Sequence, residues 1–389
     1  MVKFAHMADV HLGGWKQQPL QDLNFKSFQK AVDICISEKV DFVLIAGDLF
    51  DNSFPSIDIL KETFAEFKKI KDCGIPCFII AGSHDYSVSG KTFLDVLEKA
   101  GFCKNVADFE ETERGFILNP VIHKNFAFYG YPGKKSGLEV KDLKNLKLRE
   151  TDEKFFRILM LHTTLDRVVG SLPIDFVDSS GLPDADYYAL GHIHVIYNKE
   201  GFVYPGPLFP NNFAELEKLE HGSFCIVDAD AENRSYSLKK IELRIKEVEQ
   251  IALKVKNAVT ATEETIYELS KKNLEDKIVL LRFAGELENS KISNINFKLI
   301  EDFVMKKGAY FVLRNTHELR EKEETIEAEL KEENVGEETM KAFLEKRASK
   351  FNDFAESLIH SLSAEKQEGE TSDDFSRRIF EESRKILNF

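Results

Sequence analysis

Five short stretches of this 389-residue chain place histidine and aspartate directly after apolar runs. "ADVH" holds Asp9 and His11, "AGDLFD" holds Asp48, and "AGSHD" holds Ser83, His84 and Asp85. "ILMLH" ends on His162, and "LGHIH" holds His192 and His194. Imidazole suits zinc, iron and manganese, while carboxylate adds hard oxygen and negative charge. One aspartate can bridge two ions about 3.5–4 Å apart, and such a pair clamps a phosphate and acidifies a water. Magnesium, which prefers oxygen ligands and keeps its waters, fits this mixture poorly. Each fragment alone is ordinary: "DVH" occurs in any loop, Gly-Asp is turn chemistry, and a single His162 reads as a hydrogen-bonded structural residue. "GHIH" says more, because two histidines flanking one apolar residue share a face of a strand. The ordered set predicts a metal site.

The elements that must position these residues alternate in type. Apolar runs at 3–8, 41–47, 75–82, 125–131, 155–162 and 185–192 read as buried strands. Stretches 24–38 and 57–71 carry apolar residues three and four apart, as helices do. This βαβα order predicts a layered α/β domain over residues 1–245, with helices covering a sheet. The candidate ligands then fall at carboxyl ends of strands, where such sheets hold their ligands. Runs 222–230 and 235–245 read as edge strands joined by a turn. Residues 246–317 predict a small α+β unit, with helices at 262–272 and 294–308 and strands at 276–287 and 309–315.

Net charge is −14, which argues against non-specific nucleic-acid binding. Residues 318–338, however, hold ten acids and three bases, so half of the excess sits in one acidic linker and a local basic groove is still open. Residues 339–389 carry a helical apolar stripe including Phe343, Leu344, Phe351, Phe354 and Leu358. A second helix there carries Phe375 and Ile379, with Ser372 or Asp373 as N-cap. Beyond so polar a linker, these helices predict a docking module for another protein. No apolar run approaches the roughly 20 residues that span a bilayer, and the start of the chain lacks a leader pattern. An intracellular protein is expected. The five cysteines read as free thiols in a reducing compartment, because Cys73 and Cys77 have no second pair to make a zinc site.

The order Asp-x-His, Gly-Asp, Gly-x-His-Asp, His, Gly-His-x-His resembles the calcineurin-like metallophosphoesterase superfamily. Within it, "MVKFAHMADVHLG", "LIAGDLFDNSFPS" and "ALGHIH" with "YPGPLF" are similar to the SbcD / Mre-eleven group of double-strand-break repair nucleases. The resemblance implies an α/β/β/α metallophosphoesterase sandwich, a small capping domain and C-terminal helices. It implies two manganese ions per chain: Asp9, His11, Asp48 and His194 for the first, with Asp48 bridging, and Ser83, His162 and His192 completing the second. His84 would be the acid beside the scissile phosphate. The implied activity is a 3′-to-5′ exonuclease and single-strand or hairpin endonuclease acting on DNA ends. The implied partners are an SbcC-type coiled-coil ATPase, bound by the tail helices, and a second copy of the chain, met through helices at 57–71 and 91–100. ATP use falls to the partner, because no phosphate-binding glycine loop occurs here. Lys124, Lys134 and Lys135 are candidate phosphate contacts.

Two departures from the family pattern stand out. Ser83 occupies the place of an asparagine, and its oxygen sits one bond from Cβ, with shorter reach and weaker donor power. A weaker second metal site and reduced nuclease activity are expected from it. Asp51–Asn52 stands where relatives can carry histidine, and is expected to be an ordinary loop. Rival readings are a metallophosphatase on the same fold and a scaffold that has lost catalysis.

Overall fold

The computed structural model describes residues 1–86, 90–170, 174–288, 290–322, 354, 357–358, 361–362, 364 and 372–387. Met1–Glu321 forms one compact unit and Lys322–Phe389 a second.

Two six-stranded sheets stack in the first unit. The first runs Ser235–Leu243, Gly222–Asp230, Val2–Met7, Phe42–Ala46, Cys77–Ile80 and Lys104–Asn105. The second runs Ile196–Lys199, Phe202–Pro205, Tyr187–Gly191, Phe156–His162, Phe126–Tyr131 and Val121–His123. All six strands read from apolar runs in the α/β domain are present, and their central members pair in parallel. Burial on both faces explains their unbroken apolar sequences. Phe4, Phe42 and Phe78 of one sheet meet Phe126, Phe128 and Tyr187 of the other in a shared core. Phe4 and Phe42 stack with ring centres 4.9 Å apart.

Helices Gln18–Ser37 and Ile57–Asp72 cover the outer face of the first sheet through Phe28, Val32, Phe67 and Ile70. The first begins six residues before the expected start, because Pro19 sits where a helix opening tolerates a missing N–H. Ser56 caps the second by accepting the Ile59 N–H. The outer face of the second sheet is covered by helix Glu139–Leu143, whose Val140 and Leu143 join Tyr129 and Leu161 of the sheet in one core cluster. The layering is therefore α/β/β/α. Gly222–Asp230 is an interior strand rather than the expected edge: it pairs with Val2–Met7 on one side and Ser235–Leu243 on the other.

A third, parallel sheet orders Val248–Lys254, Ile278–Leu287 and Phe311–Glu321, with helices Ala258–Ser270 and Phe297–Lys306 between them. Its last strand runs six residues past the expected end, into the acidic tract. There Glu318–Glu321 pairs with Ala284–Leu287, Leu319 is buried, and Glu318 meets Arg282. Ile278 and Leu280 of this sheet pack against Trp15, Leu20, Leu23, Phe209 and Leu216.

In the second unit, Ser372–Leu387 is helical, with Phe375 and Ile379 half-buried and Phe380 66% exposed. Phe354 and Leu358 are helical and half-buried. Phe343, Leu344 and Phe351 lie outside the described residues. Among the described residues, no helix is long and apolar enough to cross a membrane.

Candidate metal centre

The loops that follow Val2–Met7, Phe42–Ala46, Cys77–Ile80, Phe156–His162 and Tyr187–Gly191 meet at one rim of the stacked sheets. Backbone bonds tie the first two together: Asp9 N–H donates to Gly47 O at 3.1 Å, and His11 N–H to Asp48 O at 3.0 Å. Asp9, His11, Asp48, His192 and His194 all adopt positive φ, between 46° and 114°. Such conformations cost roughly 1–3 kcal/mol each in a non-glycine residue, and they concentrate where function demands them. Packing leaves little slack beside them. A methyl group on Gly47 would lie 2.1 Å from His162 Nδ1, and one on Gly82 would lie 2.2 Å from Asp48 Oδ1.

Asp9, His11, Asp48 and His162 are at most 2% exposed. Three overlapping groups of donor atoms converge within 4.8 Å: Asp9, His11 and His194; His11, Asp48 and His84; Asp48, His162 and His192. Asp48 is common to the last two and His11 to the first two, with Asp48 Oδ2 lying 3.5 Å from His11 Nε2 and 3.1 Å from His162 Nε2. His11 Nε2 and His194 Nε2 face each other at 2.9 Å. Ser83 and His84 line the same cavity of about 300 Å³ with His11, Asp48, His192 and His194. The eight residues expected to bind metal or do catalysis are thus brought to one place.

The residues fit divalent metal ions. His162 Nε2 is fully buried and makes no hydrogen bond, although an Asp48 oxygen lies 3.1 Å away. That separation is what two ligands of one ion show when each bond is about 2.0–2.2 Å long. His162 is oriented from behind: Nδ1 is 2.9 Å from Ala46 O, so it carries the proton and leaves Nε2 to a metal.

Electrostatics set the donors apart. Burial opposes charge on Asp48, but the neighbouring His162 and His11 outweigh it and hold the carboxyl well below its usual range. Burial alone would lower His162; the Asp48 carboxylate overrides it and lifts the ring to about 10, so an ion that takes Nε2 displaces a proton from it. Burial, reinforced by the His162 charge, lowers His192 to about 3 and keeps it neutral, the form that binds metal.

Three supporting carboxylates were not assigned a role from sequence. Asp85 accepts backbone N–H groups from Gly82, Phe50 and Leu49 at 2.9, 3.0 and 3.3 Å, binding the Asp48 loop to the Ser83 loop. Burial, with Asp48 nearby, raises its carboxyl to about 6. Asp51 is not an ordinary loop residue: its Oδ1 lies 3.3 Å from His11 Nδ1, and its carbonyl lies 2.6 Å from His84 Nδ1. Glu215 Oε1 lies 3.0 Å from His194 Nδ1. A carboxylate placed as Glu215 is fixes the tautomer and aim of a ligating histidine, whereas Asp51 places negative charge beside His11 without hydrogen-bonding its Nδ1. Of the lysines considered for phosphate contacts, Lys124 pairs with Asp41 at 3.0 Å and Lys134 with Asp142 at 2.6 Å, while Lys135 is exposed.

Fold and site together define a metal-dependent phosphoesterase. Residues 2–196 match the calcineurin-like phosphoesterase family, and the chain belongs to it. It is 27% identical over 364 residues to the DNA double-strand break repair protein Mre11 of Archaeoglobus fulgidus, covering 86% of this chain and 77% of that protein. It is 26% identical over 347 residues to the Mre11 protein of Methanocaldococcus jannaschii, covering 78% of this chain and 90% of that protein. It is also 28% identical over 222 residues to the uncharacterized metallophosphoesterase YhaO of Bacillus subtilis, covering 52% of each.

Proposed function

We propose that this protein is a two-metal DNA phosphodiesterase of double-strand-break repair, using manganese and working intracellularly on DNA ends with an SbcC-type ATPase. The observation that carries the reading is the sharing of one buried carboxylate, Asp48, between two histidine-rich donor groups. Similarity to two archaeal repair proteins along most of the chain supports the choice of DNA as substrate.

Asp9, His11, Asp48 and His194 would hold one ion; Asp48, Ser83, His162 and His192 would hold the other. Two ions held so supply charge neutralisation and an acidified water for in-line displacement at phosphorus. His84 carries out the proton work: Asp51 O accepts its Nδ1–H, so Nε2, bare in the neutral ring, is the atom that takes up a proton and passes it to the departing oxygen. Its ring is 47% exposed, as a residue that must meet substrate requires. Ser83 is the weak point of the second set, so activity is below that of an asparagine-bearing chain. Helices Ile57–Asp72 and Phe93–Lys99, with Ile57 and Val96 exposed, would meet a second copy. The tail residues Phe354, Leu358, Phe375 and Ile379, with Phe343, Leu344 and Phe351, would meet the ATPase.

The test compares manganese-dependent degradation of end-labelled duplex and hairpin DNA with hydrolysis of an aryl phosphate, with and without the ATPase. Degradation of DNA that stops on His84→Gln supports the proposal. Efficient aryl phosphate hydrolysis with inert DNA would favour a phosphatase, and inactivity on both would favour a scaffold.

A further inference from the structure

Helix Phe213–Leu219 is seven residues long and is gripped on two sides. Glu215 and Glu217 are two positions apart, so their side chains leave the helix about 200° apart. On one side Glu215 faces His194 Nδ1 at 3.0 Å and is itself held by the Asn211 N–H at 2.8 Å and the Asn212 side-chain amide at 2.6 Å. On the other side Glu217 receives a two-pronged contact from Arg282, Nε to Oε1 at 2.7 Å and Nη2 to Oε2 at 2.6 Å. The remaining nitrogen, Nη1, reaches Glu318 Oε1 at 2.7 Å. Arg282 lies on the central strand of the three-stranded sheet and Glu318 on its neighbour. The guanidinium also sits 5.4 Å from the centre of the Phe213 ring, and Gln250 Nε2 donates to Glu217 O at 2.8 Å. A forked arginine–carboxylate pair fixes orientation in a way that a single-point lysine contact does not.

We propose that Arg282 is a positioning residue for the metal centre. By holding Glu217 it fixes the helix that carries Glu215, and Glu215 in turn keeps the proton of His194 on Nδ1 and Nε2 turned to the ion. Docking of the 246–321 sheet thereby sets the affinity of the ion at Asp9, His11 and His194. His162, in the other group, is oriented by the Ala46 carbonyl instead. This inference rests on the reading of His194 as a metal ligand.

Calorimetric titration of manganese into the full-length protein tests it, with the wild type, Glu215→Gln, Arg282→Met, Arg282→Lys and the double variant Glu215→Gln/Arg282→Met compared. The wild type should resolve two sites. Glu215→Gln should weaken one of them about 10–100-fold, as loss of a partner behind a ligating histidine does. Arg282→Met and Arg282→Lys should weaken that same site several-fold and spare the other, and Arg282→Met should add nothing once Glu215 is replaced. If Arg282→Met does not fold, Glu217→Gln, which keeps size and shape, carries the same comparison. Unchanged affinities, equal weakening of both sites, or full additivity with Glu215→Gln would each overturn the inference. A wild-type chain that binds no manganese would overturn the metal reading itself, and this inference with it.

Discussion

His162 Nε2 and Asp48 Oδ2 lie 3.1 Å apart in full burial, and the ring nitrogen makes no hydrogen bond. A buried polar nitrogen left without a partner costs roughly 1–3 kcal/mol. The same two atoms become satisfied together if one ion takes both. Asp48 also faces His11 Nε2 at 3.5 Å, so its carboxylate is common to both donor groups.

Replacement of Asp48 should therefore differ in kind from replacement of a ligand belonging to one group. Asp48→Asn is expected to weaken both manganese sites, by more than the roughly 10–100-fold typical of partners that stand behind ligands. His192→Gln should weaken only one. Calorimetry resolves the two outcomes, and equal behaviour of the two variants would remove the bridging role.

Ser83 gives a change in the opposite direction. Asparagine reaches further from Cβ and presents a carbonyl oxygen, so Ser83→Asn should strengthen the second site by about tenfold, equivalent to about 1.4 kcal/mol. Phosphodiester hydrolysis should rise at limiting manganese and converge with the wild type at saturation. Equal affinity at both sites in the two proteins would show that the serine is no handicap.

A glycine at the rim can be set against one at the amino end of a strand by what a side chain would strike. Gly47 has φ +89° and would press a methyl against His162 at 2.1 Å; Gly74 has φ +72° and would meet nothing within 4 Å among the described residues. Gly74→Ala should cost about 1 kcal/mol through backbone conformation alone. Gly47→Ala should cost about 3 kcal/mol or more, adding steric overlap in a packed site, and should also lose manganese affinity. Denaturant midpoints and calorimetry together check this.

The ligand positions were legible in sequence because sheet topology concentrates them. Each follows an apolar strand buried on both faces, and the ends of such strands meet in space. The supporting carboxylates had no comparable signal. Glu215 sits in an ordinary amphipathic helix, and only the fold reveals that His194 lies beside it. Asp51 is five residues past its strand, and its importance comes from His11, forty positions away. The strand Val248–Lys254 escaped notice because three of its seven residues are polar or charged, and only Ile251 is buried. The strand Phe311–Glu321 was cut short because its charges point outward while a single residue, Leu319, anchors its end.

A final prediction concerns acid stability away from the metal ligands. His6 lies fully buried between the two sheets, with Nδ1 2.9 Å from the Tyr187 hydroxyl. Burial lowers its pKa to about 3, only partly offset by the Leu190 backbone. In the unfolded chain the ring titrates near 6.5. Above that value both states are neutral and the group contributes nothing. As pH falls below it, the unfolded chain takes up a proton that the native protein refuses until about pH 3. Native stability therefore drops across that window by about 1.4 kcal/mol per pH unit, or about 2 kcal/mol by pH 5. The pair His6→Leu/Tyr187→Phe removes the titrating ring together with the hydroxyl that would otherwise lose its partner. Urea unfolding at pH 7.5 and pH 5, with chelator present so that metal release does not contribute, should show a pH dependence shallower by about 2 kcal/mol in the double variant. Parallel losses in the two proteins would mean that His6 takes up its proton in the native state as easily as in the unfolded chain.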